Sequence, residues 1–153
     1  MLRTLEAALV AVNRWLLILM MSAMACIVFA NVVLRYTTGD SLIWAEEVAR
    51  HLMIWTTFVG AGLVLRFGGH VAIDSLHQAV GSKAPWLRVV VVSGIACFCA
   101  LMAWYSIDYV IVSRFQTTPV TGIPFSYVYV ALPVGFALVL VHLALVGARY
   151  VRD

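Results

Sequence analysis

The sequence predicts an all-α integral membrane protein with four transmembrane helices, both termini cytoplasmic, forming one domain over residues 1–153. Two observations carry the fold class. Of the 153 residues, 64% are hydrophobic and 11% charged, where a soluble domain carries roughly 25% charged residues. The apolar residues also fall into runs of about 20 or more, the length that crosses ~30 Å of hydrocarbon at ~1.5 Å per residue. This composition excludes a water-soluble globule.

The first span is expected at 15–34, a charge-free run closed by Arg35 and Tyr36. It contains "SAMAC", which resembles a processing site, but the apolar run is longer than the ~7–15 residues of a signal peptide core, so it is expected to be an uncleaved span. "TTGD" follows as a polar turn in which Asp40 or Ser41 caps the next helix. The second span covers about 42–65.

The interval from Arg66 to Pro85 is the longest polar stretch. Val71, Ile73, Leu76, Ala79 and Val80 fall on one side of a short amphipathic helix lying at the membrane interface. The third span covers about 87–112, with Arg88 near its start and Asp108 near its end. The Pro, Gly and Thr content of Arg114–Ser126 marks a structured loop. The fourth span covers about 127–148 and is expected to kink at Pro133 and Gly135.

Orientation follows from the flanking cations. Arg3, Arg14, Arg66, Lys83, Arg88, Arg149 and Arg152 lie on one side and Arg35 and Arg114 on the other, which places both termini inside and the Arg35–Ser41 and Arg114–Ser126 loops outside. Asp108 falls at the outer level and is expected to pair with Arg35 or Arg114.

Several function classes are disfavoured. The net charge of +3 is spread over span ends, whereas nucleic-acid binding needs a basic face. Cys26, Cys97 and Cys99 sit in apolar runs without metal-ligand spacing, so no disulfide or metal site is expected. No nucleotide-binding, zinc-protease or nucleophile motif is present, and an enzyme is not expected. A haem held between paired histidines, as in some membrane anchor subunits, would need matched depths. His51 and His142 lie ~12 Å apart in depth on spans running in the same direction, and no cofactor is expected. An autonomous transporter would show internal repeats and interrupted midplane helices, which are lacking here.

The chemistry concentrates in "SLIWAEEVARHLMIW", where Glu46, Glu47, Arg50 and His51 interrupt the second span. Glu46 with Arg50 and Glu47 with His51 have i,i+4 spacing, each acid preceding its base. On a helical wheel the four side chains cover an arc of about 140°. The charge-free remainder of the span measures ~21 Å, so part of this turn lies at membrane depth. Three readings stay open from the residues alone: a self-paired interfacial cluster, a polar contact that orders this chain against a partner membrane protein, and a proton relay.

"NVVLRY" at 31–36 and "WAEEVARHLMIWTTFVGAGLVLRFGGHVAID" at 44–74 resemble the small membrane subunit of TRAP transporters, the tripartite ATP-independent periplasmic uptake systems. The resemblance rests on Asn31, Arg35, Tyr36, Trp44, Glu47, Gly60, Gly69, His70 and Asp74. It implies a non-catalytic, multi-pass protein of the bacterial inner membrane. Its implied partners are a large multi-span membrane subunit, which it braces, a periplasmic substrate-binding protein, which it helps dock, and membrane lipids. It further implies ion-coupled import of an organic acid. On that basis Glu46, Glu47, Arg50 and His51 are expected to form a structural and subunit-contact cluster, and Arg35, Asp108 and Arg114 to meet the binding protein. A haem- or quinone-associated anchor subunit and the small subunit of a tricarboxylate-type tripartite transporter are the alternatives.

Overall fold

A computed structural model describes residues 2–67 and 85–150. The expected interfacial helix between the second and third spans, and with it Gly69, His70 and Asp74, lies outside the described residues. The elements are α1 (Leu2–Thr37), α2 (Ala45–Phe67), α3 (Pro85–Ser113), the short α4 (Phe125–Tyr129) and α5 (Ala131–Tyr150). Among the described residues, four helical segments are long and apolar enough to cross a membrane, the fourth running through α4 and α5.

α1 reaches well beyond the charge-free run that marks it. Its 36 residues correspond to ~54 Å, which exceeds the hydrocarbon thickness, so it tilts or projects beyond it. Thr37 and Thr38 fold their hydroxyls back onto the carbonyls of Val33 and Leu34, at 2.8 Å each, and Gly39 turns the chain at φ 78°. The positive φ suits glycine, which has no Cβ to clash.

The second helix starts at Ala45 rather than at the expected cap of Asp40 or Ser41. The Leu42 amide is taken by the side chain of Asn31, whose Oδ1 accepts it at 2.7 Å. The Ala45 amide then donates to the Leu42 carbonyl at 3.0 Å, a tight turn ahead of the helix. A residue shared with the family resemblance thus fixes the entry to α2.

The four spans form a row rather than a closed bundle: α1 packs along α2, α2 along α5, and α5 along α3. The covered positions of α1 run through Glu6, Val10, Asn13, Leu17, Met20, Met24, Ile27 and Asn31, alternately four and three residues apart. That repeat is the single seam of a coiled coil, so most of the other described side chains of α1 are left outward. Three of its members are polar and each finds a partner on or just before α2. Glu6 meets Arg66 at 3.3 Å, Asn13 Nδ2 donates to the Val59 carbonyl at 3.2 Å, and Asn31 accepts the Leu42 amide. Each bond ties one height of α1 to one height of α2, which fixes the antiparallel register, as polar residues do at seam positions.

α2 and α5 run parallel, because Phe58 meets Gly135 and Gly62 meets His142. Their approach is close. A Cβ at Gly135 would lie 2.6–2.9 Å from Phe58 Cβ and its backbone O and C, and a Cβ at Gly62 would lie 2.6 Å from His142 Cδ2. Absent side chains let the two backbones approach, the usual way helices bind without a hydrophobic drive in lipid. α3 runs antiparallel to α5, with Phe98 edge-on to Phe136 at 6.4 Å and Tyr109 against Tyr129 at 4.8 Å.

The expected interruption of the fourth span is present but falls at Val130, between α4 and α5. Pro133 has no N–H for the Tyr129 carbonyl four residues back, and its ring crowds that carbonyl. The regular ladder therefore lapses one turn before the proline itself.

Candidate functional site

The charged turn of α2 lies beside the loop between α3 and α4. This loop is built by its own backbone: Thr117 bridges Pro124, the Phe125 amide donates to the Gln116 carbonyl at 2.9 Å, and the Thr118 amide donates to the Ile123 carbonyl at 2.9 Å. Gly122 closes the tip with φ 66° and its amide donates to the Thr118 carbonyl at 3.1 Å. Thr118 is buried, and its hydroxyl oxygen accepts the Ile123 amide at 3.0 Å.

Glu47 anchors the loop to the helices. Its Oε2 accepts the Val120 amide at 3.0 Å, its Oε1 accepts the Thr121 amide at 3.0 Å, and Oε1 also accepts the Thr121 hydroxyl. One carboxylate thereby satisfies three donors across more than seventy residues of chain. A carboxylate suits this position twice over, since charge-assisted bonds to amides are strong and it lies in the first turn of α2, at the positive end of the helix dipole. Glu47 is 8% exposed, so the ion that sequence spacing aligned with His51 is spent on the loop instead.

The neighbouring ions are placed differently. Glu46 and Arg50 are exposed, and among the described residues neither forms an ion pair. With His51, Ile54, Val120 and Phe125 they line a cavity of about 330 Å³ between α2 and the loop. The His51 ring stands edge-on to Phe125 at 6.5 Å.

Arg35, Asp108 and Arg114 are exposed near the same end of the row but are not brought together. The expected pairing of Asp108 with Arg35 or Arg114 is absent. Six residues separate Asp108 from Arg114, which turns them about 120° away from the same side of a helix. Arg35 belongs to α1, at the opposite flank of the row from α3. Among the other shared positions, Gly60 lies against Leu17, while Tyr36 and Trp44 are exposed.

Sequence reasoning did not single out Glu6, Asn13 or the contact of Gly62 with His142. The first two carried a signal: with Asn31 they fall on one three-four repeat along α1. His142 is fully buried and its ring nitrogens have no partner among the described residues. It lies opposite Gly62, eleven residues beyond His51 on the parallel helix, hence about 16 Å further along the axis. The two imidazoles do not face one another.

Residues 24–153 match the family described as the DctQ component of tripartite ATP-independent periplasmic transporters. The chain is 31% identical over 120 residues to the ectoine TRAP transporter small permease protein TeaB of Halomonas elongata, covering 75% of this chain and 61% of that one. It is 31% identical over 124 residues to the C4-dicarboxylate TRAP transporter small permease protein DctQ of Rhodobacter capsulatus, covering 76% of this chain and 54% of the relative. It is also 26% identical over 106 residues to the isethionate TRAP transporter permease protein DctMQ of Oleidesulfovibrio alaskensis, covering 66% of this chain and 16% of that much longer protein. The chain thus spans little more than half the length of the first two relatives and a small part of the third. With a match that starts inside α1 and continues to Asp153, on a scaffold of four membrane-length helices, the chain belongs to the DctQ family, the small membrane subunits of bacterial TRAP transporters.

Proposed function

We propose that this chain is a non-catalytic brace in a bacterial inner-membrane uptake system, packed against a large multi-span transport subunit and contributing to the docking of a periplasmic substrate-binding protein. Both termini are cytoplasmic in this reading, and the 37–44 turn and the 114–124 loop face the periplasm. The relatives are named for ectoine, C4-dicarboxylates and isethionate, and the cargo proposed for this system is an organic acid moved with a coupling ion. The match to a sixth of one much longer permease supports a large membrane partner working beside this chain.

The observation that carries the bracing role is the division of labour in the charged turn. Glu47 holds the loop, while Glu46 and Arg50 remain exposed on a membrane-spanning helix. Ions at such positions are costly in lipid and mark contacts or pathways. A partner helix that supplies polar complements removes that cost. In this reading His51 belongs to the same cluster through Phe125.

The test is purification of the complex. Arg50→Ala, coexpressed with the large subunit, is expected to lose most of the co-purified partner and of the uptake while this chain still reaches the membrane. Unchanged co-purification and uptake would remove the cluster from the subunit contact.

Docking of the binding protein is assigned to the rim cations Arg35 and Arg114, with Asp108 beside them, because exposed charges steer encounters more than they hold complexes. Reversal to Glu at Arg35 or Arg114 is expected to slow uptake at limiting binding protein and to leave the rate at saturating binding protein nearly unchanged. Equal rates for variant and wild type at limiting binding protein would dismiss the rim.

A further inference from the structure

One face of α2 stays uncovered along its whole length. Glu46, Arg50, Met53, Thr57, Ala61 and Val64 are all exposed, at steps of three or four residues, so they share a single stripe ~27 Å long. The intervening positions are covered by α1, by α5 or by the 114–124 loop. At mid-height the stripe sinks into a cavity of about 630 Å³, open between α2 and α3 and floored by Phe136 and Val139 of α5. Its α2 wall sets the small residues Thr57, Gly60 and Ala61 among Phe58, Val64 and Leu65. Nearer the loop the stripe carries Glu46 and Arg50, which line the separate 330 Å³ cavity.

We infer that this stripe and cavity seat one membrane-spanning helix of the large transport subunit, lying in the trough between α2 and α3. The inference rests on the bracing role proposed above and adds to it a face and a mode of contact. Two features select a helix over lipid. Small residues on the wall let a second backbone come close, and close approach is what drives helix association where lipid is as apolar as leucine. The charges at one end of the same stripe require a polar complement, which an acyl chain lacks. The docked helix therefore carries apolar side chains that fill the trough and polar or charged side chains at the height of Glu46 and Arg50. A second copy of this chain, which carries exposed Arg35 and Asp108 near the same end, is the competing occupant, and the mass of the crosslinked product distinguishes it.

The test places a photo-crosslinking amino acid singly at Thr57, at Ala61 and at Leu16, in the full chain coexpressed with the large subunit in native membranes. Leu16 is exposed and lines a different cavity, between α1 and Leu138. The expected result is a shift of the chain to the summed mass of the two subunits from Thr57 and Ala61, with none from Leu16. Crosslinks to the large subunit from Leu16 but not from Thr57 or Ala61 would overturn the face and leave the bracing role standing. Adducts from Thr57 and Ala61 with lipid or with a second copy alone, and no crosslink to the large subunit from any position, would overturn both.

Discussion

Gly135→Ala is expected to lower the melting temperature of the purified protein, although it replaces a helix-interior glycine with the best helix former. Alanine at an unobstructed helical position gains about 1 kcal/mol over glycine. At Gly135 the added methyl meets Phe58 Cβ at 2.6 Å and the Phe58 carbonyl oxygen and carbon at 2.7 and 2.9 Å. Backbone atoms of a packed helix cannot rotate aside, so α2 and α5 must separate, an overpacking cost of about 1–3 kcal/mol.

The control is Gly94→Ala, where nothing lies within 4 Å of the new methyl, so the propensity gain stands alone. Gly62→Ala falls between them, since its nearest obstacle is the His142 ring at 2.6 Å, a side chain with some freedom to tilt. Thermal unfolding in detergent or nanodiscs should rank the melting temperatures Gly94→Ala highest, then Gly62→Ala, then Gly135→Ala. A Gly135→Ala protein that melts with Gly94→Ala would show that α2 and α5 do not meet at this height.

Glu47→Ala is expected to free the 114–124 loop without dismantling the helices. The substitution removes the acceptor for two amides and a hydroxyl at once. Leaving a buried donor unsatisfied costs about 1–3 kcal/mol, and this part-buried loop lets water recover some of it, so about 1–2 kcal/mol of local stability is lost. Hydrogen exchange at the Val120 and Thr121 amides should accelerate about 5- to 30-fold, since 1.4 kcal/mol is a factor of about ten. Exchange in the middle of α2 should hold. Glu47→Gln is intermediate, because its amide retains one acceptor oxygen but turns an NH₂ donor toward another donor. Unaltered exchange at both amides in Glu47→Ala would mean that the loop keeps its shape by its own backbone bonds.

The four spans were legible because a membrane imposes length and apolarity on anything that crosses it. Their arrangement in a row was not, since an apolar residue facing lipid and one facing another helix look alike in sequence. Only polar residues inside a span break that degeneracy. Glu6, Asn13 and Asn31 mark the seam of α1 in this way, and the family resemblance pointed to Asn31 without saying what it holds.

Glu47 stood out as a carboxylate inside a span, yet its partners could not be read. They are backbone amides at Val120 and Thr121, groups that almost every residue possesses, brought near by chain topology alone. Helix spacing favoured local pairs such as Glu47 with His51 because it ranks what is near in sequence. Pro133 announced an interruption, and its position at Val130 follows from where a proline fails its helix, at the carbonyl one turn earlier.

The order of helices in the row differs from their order in the chain. α3 is made before α5, yet α5 lies between α2 and α3 and supplies the surface on which α3 rests. Helices that insert singly and then associate can tolerate such an order. Until α5 enters the bilayer, the described helices made so far are an α1–α2 hairpin and α3, which packs along neither of them. When α5 enters, it wedges between α2 and α3, and the α1–α2 hairpin and α3 become one layer in that step.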